Sequence, residues 1–252
     1  MSRTLIQATW SDVPHLTDKA KTDLRESIPP HMRDARTKGV PMLGAGQIYP
    51  VDEASLVVDP FDLPDWWPRA YALDVGWNRT AALWGAWDRE ADTVYLYSEY
   101  YAAQQPPAVH ASAIRARGEW IWGAIDPASA GANQKDGSTL IQEYRGLGLS
   151  LVEADNTVEA GIFACYQRMT RGGLKVFRTL PNWLAEFRIY RRVERQTELG
   201  QKVSIVKEND HLMDAMRYLI MTGMQHARTA PEEDDAVDRT LANYGRSAVT
   251  GY

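Results

Sequence analysis

Apolar and polar positions along this chain follow no single period, and the changes of period mark its elements. The first 65 residues are sparse. Thr17 can cap a short helix running through Ser27, which Pro29 and Pro30 stop. Glycine and proline punctuation follows at Gly39, Pro41, Gly44, Gly46 and Pro50, then an acidic, proline-bearing stretch from Asp52 to Pro68. From Arg69 the pattern is dense. Tyr71 to Gly76, Thr80 to Trp87 and Thr93 to Tyr101 are rich in β-branched and aromatic residues and predict three strands. Their short connections, Gly76 to Asn78 and Arg89 to Asp92, make the three an antiparallel meander.

Beyond the meander the period lengthens and alternates. Pro106 to Gly118 predicts a helix burying Val109, Ala113, Ile114 and Ala116, and Trp120 to Ile125 a fourth strand. Ser138 to Gly146 (helix), Leu149 to Val152 (strand), Thr157 to Gly172 (helix) and Leu174 to Phe177 (strand) follow. Pro181 to Arg195 reads as helical, Lys202 to Lys207 as one arm of a hairpin, and Asp210 to His226 as a strong closing helix. A helical crossover between strands three and four favours placing strand four parallel to strand one. The expected fold is α/β: a mixed sheet, antiparallel meander plus parallel strands, flanked by helices. Residues 66–226 would form this body, preceded by a connecting segment over 1–65 and followed by an acidic, disordered tail over 227–252.

Composition narrows the chemistry. A hydrophobic share of 44% in 252 residues supports a sizeable core. The single cysteine, Cys165, lies in a helical apolar pattern and reads as packing. No run is apolar enough to span a membrane and no leader pattern opens the chain, so a reducing cytoplasm is expected. The net charge of −5 argues mildly against nucleic acid, but a charge-neutral body with local basic ground can still bind phosphates. None of the five histidines shows zinc spacing.

The acids are more informative. Asp74 ends an apolar strand pattern, where a carboxylate must be neutralised, hydrogen-bonded or bound to a cation. Asp126 ends the fourth strand before Pro127, and sites in open sheets form outside such carboxyl ends. Asp214 opens the last helix, with Asp210 one turn before it. Each has a plainer reading: a turn acid at Asp74, an Asp-Pro turn at Asp126, helix-dipole acids at Asp210 and Asp214, and a surface ion pair between Asp214 and Arg217. Together they suggest an oxygen-ligand site for Mg²⁺ or Mn²⁺, which needs a few carboxylates plus substrate phosphate. His211 can assist as a proton carrier or sit solvated at the rim. Lys135, in the polar loop Gly131 to Gly137, and the series Arg188, Arg191, Arg192 and Arg195 are either solvated surface or phosphate contacts. Gly39 to Gly46 has phosphate-loop glycines without the Lys and Ser/Thr, which disfavours an ATP site there.

Ala72-Leu73-Asp74-Val75-Gly76, Ala124-Ile125-Asp126-Pro127 and Asp210 to Tyr218, with Asp-Ala-Met-Arg-Tyr at its end, together resemble the nuclease domain of phage terminase large subunits, from about Arg69 to His226. The resemblance implies a ribonuclease H-like fold and cleavage of concatemeric viral DNA with two Mg²⁺ or Mn²⁺ ions. It makes Asp74, Asp126 and Asp214 metal ligands and catalytic residues, with Asp210 accessory, and implies DNA contact at Lys135, Arg191 and Arg192. It further implies double-stranded DNA, a portal protein and a small terminase subunit as partners, no membrane, and action in the host cell cytoplasm. Residues 1–65 would be the end of a packaging ATPase and its linker, without the Walker motifs. Two rivals remain: a Holliday-junction resolvase or transposase-like nuclease of the same fold, and a non-catalytic docking module of the packaging motor.

Overall fold

A computed structural model describes residues 10, 17–27, 46–131, 139–197 and 200–231. Helix α1 (Asp18–Ser27) starts where expected, with the Thr17 hydroxyl accepting from the Ala20 N–H at 3.3 Å. After α2 (Glu53–Leu56) come β1 (Val57–Val58), β2 (Arg69–Asp74), β3 (Thr80–Asp88) and β4 (Thr93–Ala102). Helix α3 (Pro107–Arg115), β5 (Trp122–Ile125), α4 (Leu140–Gly146), β6 (Leu151–Glu153), α5 (Val158–Thr170), β7 (Leu174–Phe177) and α6 (Pro181–Ile189) alternate thereafter. The chain closes with a hairpin of β8 (Arg192–Thr197) and β9 (Gly200–Ile205) and helix α7 (His211–Met221).

Seven strands form one mixed sheet in the order β1-β7-β4-β3-β2-β5-β6. The meander β2-β3-β4 is antiparallel, and β5 lies parallel to β2 with Leu73 opposite Ile125. Period-2 alternation buries both faces. Ala70, Ala72, Ala81 and Leu83 face a core shared with α5, α6 and α7, whereas Tyr71, Leu73, Ala82 and Trp84 face α3 and α4. Small residues let α7 lie close on its side: a Cβ at Gly85 would fall 2.9 Å from Leu219 Cδ2. Cys165 is fully buried in this core, and burial pushes its thiol up to about 12.

Three expectations change. The helix predicted over 181–195 ends at Ile189, Tyr190 is extended, and residues 192–197 pair antiparallel with 200–205, so Arg191 and Arg192 lie at the root of a hairpin rather than on a helical ridge. The connecting segment does not stop short of the body. From Gln47 onward it packs into it: Tyr49 and Leu56 are fully buried, and β1 adds a parallel edge strand to β7. At the other end Arg228 still exchanges backbone hydrogen bonds with Arg69 (2.7 and 3.1 Å), so the body extends past residue 227. The rest of the expected tail, 232–252, lies outside the described residues.

Candidate active site

Asp74 is the last residue of β2, and Asp126 follows the end of β5, the parallel neighbour. The Asp126 N–H donates to the Leu73 carbonyl at 3.0 Å, which continues the pairing and sets the two acids on adjacent chains at one sheet end. Neighbouring strands run about 4.8 Å apart, so this register is what brings the carboxylates together. Asp126 also fulfils its plainer reading. Its side chain accepts from the Ala128 N–H at 3.1 Å and caps a single 3-10 turn, Pro127–Ala130.

Helix α7 carries the other two acids to the same end, packing against β2, β3 and β5. Its first turn is capped from another helix. The buried carboxylate of Glu186 on α6 accepts from the Leu212 N–H at 2.6 Å, and its other oxygen accepts from the Tyr101 hydroxyl at 2.6 Å. Asp210, at the cap position itself, makes no side-chain capping bond and is left to face the site. Burial drives the Glu186 carboxyl above the usual range, although its donors counteract this.

Cations of the chain itself converge on these acids. Lys207 Nζ lies 2.9 Å from Asp214 Oδ2 and 3.1 Å from Asp210 Oδ2. His211 Nδ1 lies 2.8 Å from Asp74 Oδ2. Arg217 donates to Asp214 Oδ1 from Nε at 3.2 Å and from Nη2 at 2.8 Å. Arg217 is fully buried, so its pair with Asp214 is not the surface ion pair of the plainer reading. His211 is likewise no bystander, since it touches the strand-end acid. Asp74 is raised above the ordinary carboxylate range, first by burial, against the His211 hydrogen bond, with Asp214 and Asp126 adding repulsion. The influence of both acids on Asp74 places all three in one electrostatic neighbourhood.

Among the described residues no three His, Cys, Asp or Glu side chains stand ready around one ion. Their oxygens are turned instead to Lys207, to His211 and to the Ala128 N–H. The donor set is nonetheless all oxygen, as Mg²⁺ requires. Asp210 Oδ2 is buried with the Lys207 ammonium 3.1 Å away, so a cation that displaced this ammonium would gain a ligand. An ammonium lodged between Asp210 and Asp214 shows that this corner accepts positive charge. Sequence reasoning gave no place in the site to Lys207 or Glu186; His211, expected as a proton carrier or a solvated rim residue, touches Asp74. Lys207 lies on the connection between the hairpin and α7, and the four-residue spacing of Asp210 and Asp214 was the signal that something basic should face both.

Of the expected DNA contacts, Lys135 lies outside the described residues. Arg191 is exposed. Arg192 is engaged by Glu159 through two hydrogen bonds of 2.8 and 2.6 Å.

Comparison with known proteins gives one consistent answer. The family model described as Terminase RNaseH-like domain matches residues 72–222. The chain is 33% identical over 233 residues to the terminase large subunit of Salmonella phage P22, covering 86% of this chain and 44% of that protein. It thus spans less than half the length of the curated relatives it matches. Among solved structures it is similar to the P22 large terminase nuclease domain, with a TM-score of 0.64, 30% identity, and coverage of 74% of this chain and 96% of that one. The large terminase nuclease from thermophilic phage G20c with bound magnesium shares the fold, with a TM-score of 0.51, 12% identity, and coverage of 71% and 98%.

Proposed function

The chain belongs to the terminase RNaseH-like domain family, and from that premise we propose that it is a metal-dependent endonuclease domain that cuts concatemeric viral DNA during genome packaging. The observation that carries this reading is the meeting of Asp74, Asp126 and Asp214 at one sheet end, each supplied by a different element. Asp74, Asp126 and Asp214, with Asp210 accessory, would hold two Mg²⁺ or Mn²⁺ ions. Such ions activate a water molecule and stabilise the leaving oxygen of a phosphodiester. The magnesium bound in the phage G20c nuclease supports this choice of ion.

The protein's own groups prepare the site. His211 engages Oδ2 of Asp74. Arg217 holds Oδ1 of Asp214 from inside the core, fixing its rotamer, while Lys207 holds Oδ2. Lys207 neutralises Asp210 and Asp214 while no metal is held, and its ammonium must give way or turn to a phosphate oxygen when one is. Arg191 is the freer of the two root arginines to meet the DNA backbone, because Arg192 is spent on Glu159. The substrate is double-stranded DNA in the host cell cytoplasm, with the portal protein and the small terminase subunit as the motor's other components. The segment before residue 46 is then the end of the packaging ATPase and its linker, while residues 47–65 pack into the nuclease body.

Plasmid cleavage by the purified chain tests the proposal. Nicking and linearisation are expected with Mg²⁺ or Mn²⁺ and none with EDTA. Asp74→Asn, Asp126→Asn and Asp214→Asn should each reduce cleavage by a factor of about 100 or more, since each removes charge from a site that works by charge stabilisation. Undiminished cleavage in all three variants would refute it.

A further inference from the structure

The β2–β3 turn, residues 75–79, leads directly away from Asp74 and carries Trp77, whose indole is 69% exposed. The turn is held in place. The Thr80 hydroxyl donates to the Gly76 carbonyl at 3.1 Å, and the Gln104 N–H donates to the Trp77 carbonyl at 3.0 Å. A Cβ on Gly76 would come 2.9 Å from the Arg79 carbonyl oxygen. Arg79 is tied back toward the acids: its guanidinium lies 4.4 Å over the Tyr101 ring, the Tyr101 ring lies 6.5 Å from that of His211, and His211 touches Asp74. Trp66, equally exposed, precedes β2 and so lies at the opposite end of that strand.

We propose that this turn is a DNA-contact element, in which Trp77 packs against the bases or sugars beside the scissile phosphate and Arg79 binds the adjoining phosphate. The inference rests on the nuclease reading of the acids. Three residues of chain span at most about 11 Å, so Trp77 lies within one groove width of a phosphate seated at Asp74. A duplex placed there must cover the turn. The surroundings suit a polyanion: between Asp74 and Asp88, and again between Glu99 and Glu119, the sequence holds no acid, in a chain whose net charge is −5. An indole packed against the sugars of a groove wall reads no base, so the contact tolerates any sequence. An arginine already resting on a tyrosine keeps its outward edge for a phosphate.

The full chain, Trp77→Ala, Trp77→Phe and Arg79→Ala are compared in Mn²⁺ for plasmid cleavage, and for binding of a short fluorescein-labelled duplex by anisotropy. Trp77→Ala should raise KM and Kd about tenfold while kcat stays within about twofold, and Trp77→Phe should restore most of the loss. Arg79→Ala should lower the slope of log Kd against log salt by about one. If the wild-type chain cuts DNA and both alanine variants match it in KM, Kd and salt slope, the turn's role is overturned and the nuclease reading stands. If the chain binds DNA without cutting and Trp77→Ala still weakens binding, the nuclease reading falls and the contact remains. A wild-type chain that neither binds nor cuts overturns both.

Discussion

Arg217 is fully buried on α7 and grips Asp214, one helical turn before it, at 2.8 Å. Its guanidinium also donates to Asn156 at 3.3 Å, and Gly161 on α5 leaves room for its stem. Removing one member of a buried ion pair strands the other charge in low dielectric, at a cost of about 3–5 kcal/mol. Arg217→Ala should therefore lose that much stability in urea unfolding. Arg217→Lys should recover only part of it, because an ammonium lacks the two-pronged fit. Wild-type stability in Arg217→Ala would mean the pair contributes nothing.

On the proposed reading, Lys207 and a metal ion would compete for the same carboxylates, Asp210 and Asp214. Free Mn²⁺ at about 100 times its dissociation constant should add roughly 2.7 kcal/mol to wild-type stability, a rise of several degrees in Tm. Lys207→Met should be less stable than wild type without metal, since the ammonium between Asp210 and Asp214 is gone and only Asp214 keeps a cation, Arg217. Its Mn²⁺ affinity should rise about tenfold, the effect of removing one nearby positive charge. Asp74→Asn should shrink the metal-induced shift. Melting curves with and without Mn²⁺ decide it: an unchanged affinity in Lys207→Met would place the ion away from Asp210 and Asp214.

The metal-free protein should lose stability as pH rises through neutrality. His211 is raised above its ordinary pKa, chiefly by its hydrogen bond to Asp74, with burial opposing and Glu186 and Asp210 assisting. A histidine raised in the folded state contributes stability that is fully present below about pH 6.5 and is lost as pH climbs through the folded value. Asp74 and Glu186, both raised mainly by burial, act in the same direction, because the folded state binds more protons than the unfolded one above the ordinary carboxylate range. Unfolding in EDTA at pH 6 and at pH 8.5 should show wild type falling more steeply than His211→Gln. Equal slopes would remove His211 from the titration.

A chain starting near Pro64 would look complete from the sequence, yet it should be strongly destabilised. It would lose the buried Tyr49, whose ring stacks on Phe187 at 6.3 Å, the buried Leu56, and the edge strand on β7. Tyr49→Ala alone should cost about 3 kcal/mol, as large-to-small changes in a core do. A chain starting at residue 46 should melt like the full one. Cooperative melting of the shorter chain at the wild-type temperature would show that this packing is dispensable.

The sequence by itself determined the meander and the parallel placement of β5 beside β2, and it singled out Asp74, Asp126, Asp210 and Asp214 as candidates. Strand alternation and the length of a crossover are local properties, and a carboxylate at the end of an apolar run has few roles open to it. Cys165 as core packing was legible for the same reason. Only the tertiary structure decided the rest. Residues 191–197 hold enough helix-forming side chains to extend α6 on paper, but pairing with 200–205 turns them into a strand. The burial of Arg217 depends on α5 lying across it, and the hold of Lys207 on Asp210 and Asp214 depends on how the hairpin returns to α7. Tyr49 sits among glycines and prolines that signal a linker, yet the cavity it fills is lined by Phe187 and Tyr190, more than a hundred residues later. A pattern of period and spacing reports what a segment prefers in isolation, and such long-range contacts exist only once the segments have met.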